Sequence, residues 1–246
     1  MKERPIIFNG PMVKAILEGR KTQTRRVIKP GRTFPNQDDW NITTLDDGAI
    51  IRTSKDDQVW NVPSGGLSRA MQDKIVSCRY GQPGDRLWVR ETWKPGAWRE
   101  DGRVAVDYKA SPELTHTPWC NVGSDTWSYL WPKLTDEVAR SGLVADDDDQ
   151  FHWEPGKSPL KWRPAMFMYR WASRIDLEIT GIRVERLQDI TNNDALAEGT
   201  PDIRTIENGY DMRDCFRALW DQINGKTHPW DTNPWVWVIQ FKKVQG

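Results

Sequence analysis

Lys21 and Thr24 lie three residues apart in the run Arg20-Lys21-Thr22-Gln23-Thr24-Arg25-Arg26. A threonine hydroxyl becomes a nucleophile when a neighbour takes its proton. A lysine amine can take it once its pKa falls well below ~10.4. Burial and nearby cations both push it down, and Arg20, Arg25 and Arg26 supply the cations. The run holds no acid, so its charges repel unless solvent or an anion relieves them. In a regular strand, residues three apart face opposite sides. The pair therefore converges only if the backbone turns just after Gly19. The plainer alternative is two exposed polar side chains in a basic strand.

Glu198 is the third candidate for chemistry. It falls in the last turn of a short predicted helix, where the negative helix end disfavours a carboxylate by less than ~1 kcal/mol. That mismatch raises a carboxyl pKa toward acid–base use. Trp88 and Trp93, beside Arg90 and Glu91, are candidates for stacking on bases. Arg170 and the pair Ser173 and Arg174 stand at a predicted bend. Phe167, Tyr169 and Trp171 could also stack, but the apolar alternation continues through Ile175, Leu177 and Ile179 and favours a core role.

Several elements must hold these residues in place. Pro11 sits at a first helical position, Met12, Val13, Ile16 and Leu17 follow at helical spacing, and Gly19 can stop the helix. Asp46-Asp47-Gly48, between two short apolar runs, reads as a hairpin turn. Lys29-Pro30-Gly31 and Pro63-Ser64-Gly65-Gly66 read as breaks. Pro83-Gly84-Asp85 is a turn into a strand over 86–92. Residues 104–108 read as a strand and 136–140 as a short helix, while Asp146 to Asp149 read as a solvated loop. Strict alternation predicts one long strand over 167–180, bent near Ser173, and a second over 181–187. Thr191 and Asp194 frame a capping box for a helix ending at Gly199. Asp211 opens another, with Met212, Cys215, Phe216, Leu219 and Ile223 as its stripe. Residues 235–242 form a closing strand.

The 246 residues allow one large domain. Lys+Arg and Asp+Glu both number 35, so global charge argues for neither nucleic acid nor membrane. The basic start of the chain suits a confined anionic ligand better than a long duplex. The 15 tryptophans are the compositional outlier. Some belong to a core, and Trp40, Trp60, Trp98 and Trp127 are candidates for flat surface contacts. Three cysteines without a C-x-x-C pair and three histidines without ligand spacing suggest neither disulfide nor metal. The absence of a signal segment or long apolar run predicts a cytoplasmic protein that meets no membrane. No cofactor is expected, and the sequence leaves the oligomeric state open.

Gly19-Arg-Lys-Thr-Gln-Thr-Arg25 resembles the signature of the ASCH domain family. The likeness extends over 5–29, 80–93, 162–198 and 235–242, and the chain is similar to ASCH proteins encoded by tailed phages and prophages. The resemblance implies an α+β fold, a PUA-like mixed β-barrel with a few flanking helices. It implies a single domain over 1–246 with insertions at about 30–79 and 94–160. It also implies a link to RNA. A small bacterial member of the family is an amidohydrolase that deacetylates acetylated cytidine with a Lys, a Thr three residues on and a distant Glu. Carried over, Thr24 would be nucleophile, Lys21 its base and Glu198 a proton donor or orienter. Phage-type members tend to carry Ser and Pro before Arg170-Trp-Ala-Ser-Arg174, whereas this chain has Ala165-Met-Phe-Met-Tyr169, so substrate choice can differ. The expected partner is a nucleoside or single-stranded RNA. The rival expectations are a non-catalytic RNA-binding module and a ribonuclease using Lys21 and Glu198.

Overall fold

The computed structural model describes residues 1–29, 40–44, 50–54, 78–111, 119–147, 150–200 and 211–244, with backbone alone for 40–44 and 50–54. In chain order the elements are β1 (Glu3–Ile7), α1 (Gly10–Leu17), β2 (Gln23–Val27), β3 (Trp40–Thr44), β4 (Ile50–Ser54), β5 (Arg86–Arg90), β6 (Trp93–Trp98), β7 (Arg103–Tyr108) and β8 (Cys120–Asn121). Then follow α2 (Ser124–Arg140), β9 (Asp176–Arg186), α3 (Asn192–Ala197), α4 (Met212–Asn224) and β10 (Trp235–Lys243). The fold is mixed α+β. Among the described residues no set of strands closes on itself into a barrel.

The chain forms two compact units. The first comprises Met1–Lys2, Gly19–Arg86 and Glu178–Lys243. Here the strands run in the order β9, β10, β2. β10 pairs antiparallel with β2, setting Ile239 opposite Thr24, Val238 opposite Arg25 and Trp237 opposite Arg26. The core packs Leu187, Ile190, Ala195, Met212, Phe216, Trp220, Trp230, Val236 and Val238 together. α3 starts at Thr191, whose hydroxyl accepts from the Asp194 N–H while the Asp194 carboxylate accepts from the Thr191 N–H, the reciprocal arrangement expected of a capping box. Gly199 follows the helix at φ 85°. In α4 the buried residues are Met212, Phe216 and Trp220. Trp220 thus takes the inward position expected of Ile223, which is exposed, because a larger ring four residues past Phe216 buries more apolar area. β3 and β4 pair antiparallel as the hairpin reading requires. Its turn, Asp46 to Gly48, lies outside the described residues, as do Pro63 to Gly66, Pro30-Gly31 and Trp60.

The second unit comprises Glu3–Glu18, Leu87–Leu177 and Val244–Gly246. α1 begins on Asn9, whose side chain accepts from the Met12 N–H at 3.0 Å, and buries Val13, Ala15 and Ile16. β1 lies beside β5, and β6, β7 and β8 form a separate sheet. One core joins Trp93, Val106, Tyr108, Met168 and Ala172. Another gathers Leu130, Leu134, Val138 and Leu160 under a ring of half-buried aromatics.

Two expectations fail in this unit. α2 spans 17 residues rather than a short helix over 136–140. Its stripe of Leu130, Leu134 and Val138 has helical spacing, and Pro132 is tolerated inside it. The long strand over 167–180 does not form. Residues 165–167 and 170–172 are single 3₁₀ turns, and β9 starts at Asp176 and runs unbroken through Gly181 to Arg186. Pro164 precedes the first turn, where its lack of an N–H costs nothing. Phe167 is 64% exposed while Met168 is buried, which inverts the predicted inward face.

Candidate functional site

The first unit assembles a compact ion network where the chain just past Gly19 runs beside the end of α3. The Thr22 N–H donates to the Ala197 carbonyl at 2.8 Å. Lys21 and Glu198 form an antiparallel bridge. This pairing brings the Lys21 ammonium to the Glu198 backbone oxygen at 2.8 Å and to its Oε2 at 2.9 Å. Arg25, on β2, donates from Nη1 to Glu198 Oε1 at 3.1 Å. Its Nη2 donates to Glu185 Oε1 and lies 3.5 Å from Asp194 Oδ2. Arg183 binds Glu185 Oε2 at 3.0 Å and Asp194 Oδ1 at 2.8 Å. Gln23 donates to the carbonyl and Oδ1 of Asp194 at 3.1 and 3.0 Å.

Three cations and three carboxylates thus neutralise each other. The basic run that lacks acids in sequence finds them in the fold. The side chains of Lys21 and Arg25 are fully buried and that of Glu198 nearly so. A buried carboxylate is held stably when each oxygen has a charged donor, and Glu198 has Lys21 on one and Arg25 on the other.

Burial pushes the Lys21 pKa down. The charge and hydrogen bond of Glu198 partly counter it, and Arg26 and Arg25 push the same way as burial. Burial likewise lowers the Arg26 pKa, opposed by Tyr80 and Glu198 and helped by Arg79. Asp194 shows the reverse balance. Burial would raise its pKa, but bonds from Thr191 and Gln23 and the charge of Arg25 hold it at about 2.

The structure therefore brings Lys21, Arg25 and Glu198 together. Arg20 lies alongside, its Nη1 donating to the Gly199 carbonyl at 3.0 Å. Thr24 is buried on β2, opposite Ile239. Strand alternation sets it on the face of β2 away from Gln23 and Arg25. Lys21, two residues before β2, reaches the same Glu198 carboxylate as Arg25, so its amine lies on the Arg25 side rather than beside the Thr24 hydroxyl. Beside the network, a hollow of ≈ 400 Å³ is lined by Thr22, Gln23, Thr180, Asp194, Ala197 and Gln240 among others.

The remaining candidates belong to the second unit. Glu91 is buried, and Arg174 binds both its oxygens at 2.9 and 3.0 Å. Arg174 also donates to Ser111 Oγ at 3.2 Å and covers the Tyr108 ring at 4.0 Å. Burial raises the Glu91 pKa while Arg174 pulls it down. Ser173 donates its hydroxyl to the Val89 carbonyl at 2.8 Å. Arg170 binds Glu3 and Asp176 at 3.2 and 3.0 Å. Trp88 is 8% exposed, with the Arg90 guanidinium 4.5 Å from its ring centre. Trp93 is completely buried, with Tyr169 and Trp171 edge-on to it at 6.0 and 5.7 Å. Trp93 is thus a core residue rather than a stacking surface, because its ring meets other aromatics and packs with Val106, Tyr108, Met168 and Ala172.

The sequence marks none of Arg183, Glu185 and Gln23 as a site residue, and it marks Asp194 only as a helix cap. Asp194 carries a visible signal as a capping residue, and it serves both the cap and the network. Arg183 and Glu185 share one face of β9 by their spacing of two, which is compatible with a charge pair. No known protein family matches the sequence, and neither a curated protein nor a solved structure is significantly similar to it.

Proposed function

We propose that the first unit carries an ASCH-type site for a nucleoside or for single-stranded RNA, with Thr24 as nucleophile, Lys21 as its base and Glu198 as proton donor or orienter. The observation that carries this reading is the 2.9 Å contact between Lys21 Nζ and Glu198 Oε2. These are the lysine and the distant glutamate that the resemblance picks out from opposite ends of the chain. On this reading the fold is a PUA-like barrel with insertions at about 30–79 and 94–160, working in the cytoplasm.

A lysine whose pKa is lowered by burial offers more neutral amine near neutral pH, which a general base requires. In the amide hydrolysis that the resemblance implies, Thr24 Oγ1 would attack the acetyl carbonyl and pass its proton to the Lys21 amine, a step that requires the hydroxyl to leave the face of β2 opposite Arg25. Arg26, which shares the Thr24 face of β2 by alternation, steadies the oxyanion. The C–N bond then breaks, Lys21 returns the proton to the departing amine, and water releases acetate from Thr24.

A second reading has an observation of its own. Three internal carboxylates hold Lys21, Arg25 and Arg183 in ion pairs, which ties up the amine that a general base needs and suits a module without catalysis. Mass spectrometry of purified protein incubated with acetylcytidine and with single-stranded RNA separates the readings. Cytidine released by the wild type but not by Lys21→Ala or Thr24→Ala supports the hydrolase. Salt-dependent RNA binding with every substrate intact supports the module. RNA cleavage that survives Thr24→Ala but not Lys21→Ala replaces both with a ribonuclease.

A further inference from the structure

We propose that the second unit holds a separate ligand site, an aromatic cage for a methylated ammonium group, bounded by Trp98, Trp131 and Trp153. A hollow of ≈ 380 Å³ lies among these rings, with Phe151, Glu100 and His152 also lining it. That volume falls in the range of small-molecule sites. Three separate stretches build it. Trp98 ends β6, Trp131 projects from α2, and Trp153 comes from the segment after residue 150.

Ring orientation selects the ligand. Trp98 meets Trp131 at 6.2 Å between centroids and 89° between planes. It meets Trp153 at 5.2 Å and 59°. A flat nucleobase needs parallel faces to slide between, and neither pair provides them. A rounded cluster of N-methyl groups touches non-parallel rings well, and each indole face attracts its positive charge.

Charge points the same way. Glu100 is the acidic group in the lining, and no Lys or Arg is among the lining residues. His152 is engaged with Asp146 at 2.7 Å. Two cations close in sequence to Trp98 and Trp131 lie over other rings: Arg99 over Trp119 at 4.3 Å and Lys133 over Tyr129 at 3.6 Å. The walls are also fixed. Trp153 donates its indole N–H to the Gly96 carbonyl at 2.6 Å, and Trp98 and Trp153 pack against the core beneath α2. Trp131 nevertheless remains 37% exposed, so the indoles stay open to a ligand where rings serving the core alone would be covered.

The test titrates the full chain with choline chloride, following tryptophan fluorescence and calorimetric heat at constant ionic strength. Parallel titrations use 3,3-dimethylbutanol, which is the neutral isostere of choline, a trimethyl-lysine peptide, its unmethylated form, and cytidine. The expected result is saturable choline binding at least about tenfold tighter than that of the isostere. Trp131→Ala abolishes it, and Glu100→Gln weakens it about threefold to tenfold with an unchanged circular dichroism spectrum. Glu100 is exposed, so this second variant keeps the test valid if Trp131→Ala fails to fold. Tighter binding of the trimethyl-lysine peptide than of choline assigns the ammonium to a protein partner, and the reverse assigns it to a small molecule. Equal binding of choline and its isostere, binding of cytidine in place of choline, or no saturation by choline or the trimethyl-lysine peptide overturns the proposal.

Discussion

Lys21 Nζ lies 2.9 Å from Glu198 Oε2, and 177 residues separate the two in the chain. Arg25 grips the other oxygen of the same carboxylate, so one buried glutamate joins the segment after Gly19 to the end of α3. Breaking such a contact from one side costs more than removing it whole, because the partner keeps its charge and loses its counter-charge.

Lys21→Met is accordingly expected to destabilise the protein by about 3 kcal/mol, since Arg25 alone then faces Glu198. The double variant Lys21→Met/Glu198→Leu should return to within about 1 kcal/mol of wild type. Arg25 keeps Glu185 and Asp194 as partners in that variant. Urea titrations monitored by fluorescence measure both. A double variant less stable than the single one would mean that the contact is not a coupled pair.

Asp194 contributes to the acid response of the first unit. Its folded pKa of about 2 lies below the ~3.9 of an unfolded aspartate. Its contribution is therefore complete above ~3.9 and is lost as the pH falls through about 2. Asp194→Asn should flatten the stability profile in that window while leaving its slope at higher pH unchanged. Unfolding curves taken at half-unit pH steps give the comparison, and an unchanged acid slope would place the titration elsewhere.

Gly19 adopts φ 75°, and a Cβ built there would meet nothing within 4 Å. Gly19→Ala therefore tests backbone conformation without a clash. A loss of about 1 kcal/mol is expected, from the left-handed geometry alone. A neutral result in thermal unfolding would show that the turn relaxes.

Met168 and Phe167 divide burial in the opposite sense to their alternation. Met168→Ala should cost about 2–5 kcal/mol through the cavity it leaves. Phe167→Ala should change stability by less than about 0.5 kcal/mol, as at other exposed positions. The reverse order in denaturant midpoints would restore the extended strand.

Local signals made much of the fold legible. Pro11 starts α1, Thr191 and Asp194 cap α3, Gly84 turns the chain at φ 87°, and the apolar runs of β5 and β10 became buried strands. Alternation failed over 167–172 because aromatic residues sit at every second position there for another reason. Tyr169 and Trp171 stack on each other at 5.6 Å and 12°, and the i→i+3 bonds of two 3₁₀ turns hold the backbone. In the candidate site, Lys21 and Glu198 stood out by motif and helix position. Their partners Glu185 and Asp194 did not, because no short-range pattern couples Arg25 to a residue 160 positions later. The basic run alone shows no counter-charge for Lys21 and Arg25, which Glu185, Asp194 and Glu198 supply from within the chain.

The most direct test of the proposed site compares wild type with Lys21→Met/Glu198→Leu on acetylcytidine, measuring cytidine formation by mass spectrometry. The double variant is expected to fold like wild type, so a difference reports chemistry rather than collapse. The account predicts cytidine from the wild type and none from the double variant. Equal cytidine formation by both, or none by either, would contradict it.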